Sequence, residues 1–148
     1  MEIDRTDKDI LNALLENSRL SYRQIAKKIK RSVATVMHRV RALEKEGIVR
    51  GYTVNLDYEK LGYDLPVLIE MEVDVKERPD AGQVIGHNEN VSNVYDTSGD
   101  FDEAVFATFK NRKQLDEYIK EIGKQKFILR TNTHLILRTV KEKAIKIW

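Results

Sequence analysis

The stretch that decides the fold is SYRQIAKKIKRSVATVMHRVRALEKEG, Ser21–Gly47. Ser21 and Ser32 are N-cap residues, each standing just before a run with helical periodicity. Ile25, Ala26 and Ile29 mark one short helix over Tyr22–Lys30; Val36, Val40 and Leu43 mark the next, which runs to Gly47 at the C′ position. Upstream, Ile10, Leu11, Leu14 and Leu15 repeat at the same spacing, with Asp4 or Thr6 as cap, and predict a helix reaching about Asn17. Three helices joined by short turns, the last two only a few residues apart, make a helix-turn-helix unit.

Charge agrees with that reading. Residues 17–43 hold eight basic side chains and no acid: Arg19, Arg23, Lys27, Lys28, Lys30, Arg31, Arg39 and Arg41. Residues 1–60 carry 13 Lys and Arg against 9 Asp and Glu, a net +4, whereas residues 61–148 carry 13 against 15, a net −2. A local positive field attracts phosphate backbones, although a solvated basic face has the same composition.

Beyond Gly47 the pattern changes. Ile48–Leu56 is β-rich and predicts a strand or wing beside the helices, and Asn55–Tyr63 is polar and reads as a linker. From Leu65 the period is two: Val67, Ile69, Met71, Val73 and Val75 alternate with Leu68, Glu70, Glu72 and Asp74, as in a strand with one buried face. A helix is expected over residues 79–88. Strands are expected over Val91–Thr97 and Glu103–Phe109, around a tight Ser98-Gly99-Asp100 turn. Leu115, Tyr118, Ile119 and Ile122 mark an amphipathic helix, and Thr131–Val140 reads as a last strand. The order β-α-β-β-α-β is the ferredoxin-like arrangement. The expected class is therefore α+β: a helix-turn-helix domain over residues 1–54, a linker over 55–64, and a ferredoxin-like domain over 65–148.

Several function classes lack their residues. There is no cysteine, so neither a disulfide nor a thiolate metal site, and His38, His87 and His134 have no ligand spacing. No phosphate loop, nucleophile elbow or cofactor motif is present, so neither enzyme chemistry nor a cofactor is expected. No apolar run approaches the roughly 18 residues of a membrane span, and the charged start MEIDRTDKDI does not read as a signal peptide, so a cytoplasmic location is expected.

With these motifs in this order, the chain resembles the Lrp/AsnC family of regulators. The resemblance rests on RVRALEKEGIVRGYT, Arg39–Thr53, on VSNVYDTSGDFD, Val91–Asp102, and on TNTHLILRTVK, Thr131–Lys141. It implies a transcription regulator that binds double-stranded DNA and dimerises through its C-terminal sheets. It also implies association of dimers and a small amino-acid effector held between C-terminal domains. One departure stands at the turn into the third helix: Lys30-Arg31-Ser32-Val33 lacks the glycine usual there and brings two positive charges instead.

With Val36, Val40 and Leu43 inward at 100° per residue, the opposite face of the third helix carries Ala34, His38 and Arg41, flanked by Thr35 and Met37. An apolar face that fixes the helix and short or polar groups that reach base edges are what a recognition helix needs. Arg41 has the fork to donate twice to a guanine; Ala34 and Thr35 suit a thymine methyl; His38 donates or accepts. Tyr22, Arg23 and Ser32, near helix starts, suit phosphate contacts. Arg39 lies beside the core stripe, where a phosphate role and a structural role are equally open. In the effector region that the resemblance implies, Gly99 permits a tight turn with exposed amides, Asp100 and Asp102 suit an ammonium group, and Thr131 and Thr133 suit a carboxylate. Two other readings share much of this pattern: a genome-coating architectural protein, and an amino-acid-binding subunit that regulates an enzyme.

Overall fold

The computed structural model describes residues 2–74, 76 and 80–148, in two compact units: Met1–Asn55 with Lys141–Trp148, and Leu56–Val140. The sequence partition had run 65–148 as one piece; here residues 141–148 group with the helical unit.

The helical unit contains α1 (Arg5–Glu16), α2 (Tyr22–Ile29) and α3 (Val33–Lys45). Each start is capped by its sequence. Asp4 accepts from the Asp7 amide at 2.9 Å while Asp7 accepts from the Asp4 amide at 3.1 Å; Ser21 and Gln24 repeat the reciprocal box on α2; Ser32 accepts from the Thr35 amide at 3.1 Å. Each box satisfies two amides that the helix itself leaves open. The buried cluster is Ile10, Ala13, Ile25, Ala26, Val36, Val40 and Leu43; on α1 the expected stripe is only partly met, with Leu11 and Leu14 half-buried and Leu15 exposed.

The turn between α2 and α3 closes without a glycine. Lys30 takes the left-handed conformation itself, at φ 54°, and the Arg31 amide then donates to the Ala26 carbonyl at 3.0 Å. An L-residue there costs about 1–2 kcal/mol, which the Lys30 and Arg31 amides brought onto the Ala26 carbonyl partly offset.

After Gly47 no strand forms over Ile48–Leu56, which corrects the expectation of one. A strand needs a neighbour to take its amides and carbonyls, and no ladder among the described residues includes this segment. The segment is instead tethered by side chains. The Tyr52 hydroxyl donates to Glu44 at 2.8 Å, and burial together with that carboxylate pushes its pKa up to about 12.

The second unit follows βαββαβ order: β1 (Leu65–Val73), α4 (Ala81–Ile85), β2 (Val91–Asp96), β3 (Glu103–Phe109), α5 (Arg112–Gly123) and β4 (Ile128–Leu135). A short 3-10 turn, Glu59–Leu61, precedes it. The sheet is antiparallel throughout, in the order β2-β3-β1-β4, which is the ferredoxin-like topology. Val67, Ile69, Met71 and Val73 lie buried under α4 and α5 with Val105, Ala107, Phe109, Leu115, Tyr118 and Ile122. The other sheet face presents Leu68, Glu70 and Glu72 beside Phe106 and Tyr95, whose rings meet edge to face at 6.2 Å.

Three boundaries move. The expected 79–88 helix is confined to Ala81–Ile85 and ends at Gly86, and its first expected residue, Pro79, lies outside the described residues, as does Val75. The last strand ends at Leu135 rather than Val140: the β1–β4 ladder closes on the Val67–Leu135 pair, and the Ile136 amide then donates to the Pro66 carbonyl at 2.9 Å. It also begins earlier, at Ile128.

Candidate nucleic-acid interface and effector loop

The helical period and the core decide what α3 shows to solvent. Val36, Val40 and Leu43 are buried to 1% exposure or less, and Ala34, Thr35, His38 and Arg41 are exposed. Four of the eight residues named from the sequence for this interface therefore share one accessible helix face. Around them Arg19, Arg23, Lys27, Lys28, Lys30 and Arg31 are also exposed, and Lys28 pairs with Glu16.

The other named residues differ in availability. Ser32 is occupied as the α3 cap, and its hydroxyl lies 2.8 Å from that of Thr35. Tyr22 is half-buried against the helical core. Arg39 is drawn inward: its guanidinium meets Asp4 at 2.8 Å and the fully buried Asp7 at 3.3 Å. That geometry gives Arg39 a structural use, one of the two that the sequence leaves open. Asp4 responds in turn: the Asp7 amide, foremost, and the Arg39 charge hold its carboxyl below the usual value. Asp7 keeps one buried oxygen, Oδ1, without a partner, so Arg39 is the cation that compensates it.

The candidate effector residues cluster less completely. Strand register brings the 97–102 loop and the start of β4 to one end of the sheet, because Met71 pairs with Glu103 on one side and Thr131 on the other. Within the loop Gly99 has φ +124° with open space where a Cβ would stand, and Asp100 is exposed. Asp102 is engaged at the base: its Oδ2 accepts from the Val73 amide at 2.8 Å and its own amide donates to the Met71 carbonyl at 2.9 Å. Thr97 closes the loop by donating from its hydroxyl to the Phe101 carbonyl at 2.8 Å.

Thr131 and Thr133 pair with Met71 and Ile69, so both lie on the helix-covered side of the sheet. Thr133 there lines a shallow cleft of about 270 Å³ with Leu115, Asp116, Ile119 and Lys120 of α5. A larger cleft, about 590 Å³, opens between α4 and α5 over Val84, Tyr118 and Ile122, and it includes none of the candidate effector residues.

Further contacts on the open side of the sheet escaped the sequence reading. Arg130 stacks its guanidinium over the Phe101 ring at 4.6 Å and pairs with Glu72 at 3.2 Å, pinning the loop from the open side of the sheet. Arg130 directly precedes the Thr131-Asn132-Thr133 motif, but only the β1–β4 register places it beside Glu72. His134 and Asn132 likewise converge on Glu70, at 3.0 and 3.3 Å.

Comparison with known proteins decides the family. Residues 66–145 match the model of the Lrp/AsnC ligand binding domain, and residues 3–50 match a winged helix-turn-helix DNA-binding model. The chain belongs to the Lrp/AsnC family. A Pyrococcus furiosus relative described as an uncharacterized HTH-type transcriptional regulator is 41% identical over 142 residues, covering 96% of both chains. Among solved structures, AsnC from E. coli superposes with a TM-score of 0.91 at 26% identity, over 99% of this chain and 100% of that one. A transcriptional regulator from Neisseria meningitidis, solved as a complex with L-Met, reaches a TM-score of 0.90 over 96% of this chain and 94% of that one; at 22% identity this is a likeness of fold. The Lrp/AsnC chain described here thus joins a DNA-binding helix-turn-helix to a ligand-binding domain, as transcriptional regulators of the family do. Among its described residues no helix is long and apolar enough to cross a membrane.

Proposed function

We propose that the chain is a sequence-specific, DNA-binding transcriptional regulator, not an enzyme, acting in the cytoplasm as a homodimer or an assembly of dimers. Its assembly or DNA affinity responds to a small amino-acid-like effector. The observation that carries the DNA reading is the exposed Ala34-Thr35-His38-Arg41 face of α3, set over a buried stripe and accompanied by the exposed cations Arg23, Lys27, Lys30 and Arg31. Arg41 and His38 read base edges; Arg23, Lys27, Lys30 and Arg31 position the duplex through its phosphates. A dimer fits because one helix-turn-helix reads too few bases for useful specificity, and two-fold proteins meet two-fold sites with half-sites about one helical turn apart. The C-terminal sheet, open on one face, is the surface that holds the pair.

The effector reading is supported by the match to a ligand-binding domain and by the loop itself. Asp100 is free to meet an ammonium group, and the loop around Gly99 and the Thr131 hydroxyl suit a carboxylate. Asp102, committed by one oxygen to Val73, acts here by holding the loop. A site shared between subunits supplies the coupling, because a ligand shifts an assembly only by preferring one state to another.

Binding to duplex DNA measured against salt tests the first half. Several phosphate contacts give a log–log slope of several units, about −0.9 per phosphate neutralised; a slope near zero removes this reading. Footprinting separates a regulator, which protects defined sites, from a coating protein that protects all sequences at similar concentration. Calorimetry against the twenty amino acids, followed by Asp100→Ala and Thr133→Val, tests the second half. No binding in the panel removes the effector, whereas binding with both variants responding normally relocates the site.

A further inference from the structure

One buried carboxyl has no part in either role above. Glu103, the first residue of β3, is 5% exposed, and its Oε2 is buried without a hydrogen-bond partner. It lies on the helix-covered side of the sheet, since its cross-strand partner on β1 is Met71. On its other side its cross-strand partner is Asp96, the last residue of β2, so the two carboxyl groups stand on the same side of the β2–β3 ladder. Two neighbouring carboxylates repel each other, and a proton on one of them lets the pair hydrogen-bond.

We propose that Asp96 and Glu103 form a proton-binding pair that closes the base of the 97–102 loop, and that loss of this proton loosens the loop. The pair is placed for it. Asp96 and Glu103 flank the loop on either side, so the same two residues that end β2 and begin β3 bring its ends together. Among the described residues, the groups placed against Glu103 carry no positive charge. On β2 there is Asp96; on the loop, Asp102; on β1, Met71; and on α4, Gly82.

Gly82 of α4 packs directly against the carboxyl: a Cβ there would stand 3.3 Å from Glu103 Oε1 and 3.6 Å from Oε2, so a side chain at this position would press on it. Burial, and then the neighbouring Asp96 and Asp102, push the Glu103 pKa above its ordinary value. The sign follows. A carboxyl raised in the folded state stabilises the fold at low pH, and that contribution is lost as pH rises through the folded pKa. Above it the buried carboxylate faces Asp96 as like charge, and the strain falls on the hairpin end, which Asp102 and Arg130 hold from other directions.

The proposal bears on the proposed effector region because the same loop carries Gly99 and Asp100, but its test uses no effector. A failure here leaves the effector reading standing, and an empty amino-acid panel leaves the proton pair standing. Thermal unfolding of the full chain and hydrogen exchange of residues 97–102 are followed from pH 4.5 to 8, for the wild type, Glu103→Gln and Asp96→Asn. Glu103→Gln keeps a donor for Asp96 at every pH. It should raise the midpoint at pH 8 by several degrees, leave it nearly unchanged at pH 4.5, and remove the pH dependence of loop exchange after correction for intrinsic rates. Parallel wild-type and Glu103→Gln curves would overturn the pair. In case the variants fold poorly, the carboxyl carbon of Glu103 in the wild type is titrated by NMR. A midpoint above the ordinary 4.5 supports the proposal, and a midpoint at or below it overturns it.

Discussion

The recognition helix and the effector loop present their functional residues by different means. On α3 the spacing of Val36, Val40 and Leu43 decides which residues face solvent, and Ala34, Thr35, His38 and Arg41 follow within one element. The 97–102 loop is instead held from three sides by groups distant in sequence. Val73 holds it through Asp102, Arg130 through Phe101, and α4 through Gly82, packed against Glu103. A helix face tolerates change away from its buried stripe. A loop with several long-range anchors is sensitive wherever one of them is changed, even at residues that touch no ligand.

The largest expected effect probes the sheet that sets the register for all those anchors. Phe109→Ala, at a fully buried site packed on Tyr118, should cost about 3–5 kcal/mol of stability, read by denaturant unfolding. A cost under about 1 kcal/mol would mean that the loop's scaffold is not the tightly packed one described. Next, Arg39→Ala strips the buried Asp7 of its cation and should cost about 3 kcal/mol. At a temperature where the variant stays folded, its DNA affinity should fall equally on specific and random DNA; a selective loss on the specific site would return Arg39 to the reading face.

Arg41→Ala and His38→Ala test the face directly. Each should lose roughly 1–3 kcal/mol on the specific site beyond its loss on random DNA, whereas Lys27→Ala should weaken both alike. Equal losses for Arg41 and His38 would break the contrast, because the exposed face would then only position the duplex. The smallest effect is at the turn. Lys30→Gly relieves the left-handed lysine and should stabilise the helical unit by up to about 1 kcal/mol. It also removes a charge, so the DNA salt slope should fall by about one phosphate contact. A destabilised Lys30→Gly would show that the lysine side chain contributes more than its backbone costs.

Much of the helical unit was legible because its signals are local. Caps sit three residues from the amides they serve, and the buried stripe repeats within a single helix, so Ser21, Ser32, Val36 and Val40 could be placed without knowing any neighbour. Arg39 shows where this ends: the sequence sets it beside the stripe, but its partners Asp4 and Asp7 are 35 and 32 residues away.

In the second unit the alternation in β1 determined one buried face, and element order determined the ferredoxin-like class, because a half-buried strand must alternate and a sheet face must be covered. Register is set by pairing between distant segments, and a one-residue slip would turn every side chain to the other face. Only the tertiary structure could therefore decide that Thr131 and Thr133 lie on the helix side, that Arg130 meets Phe101, and that β4 stops at Leu135. The same holds for Ile48–Leu56, whose β-rich composition states a preference but cannot supply the partner strand that a ladder requires. The buried Glu103 is the sharpest case. In sequence it is one more acid beside an acidic loop, and its burial follows from the β1–β3 register, which turns it to the helix-covered side where Gly82 of α4 packs against it.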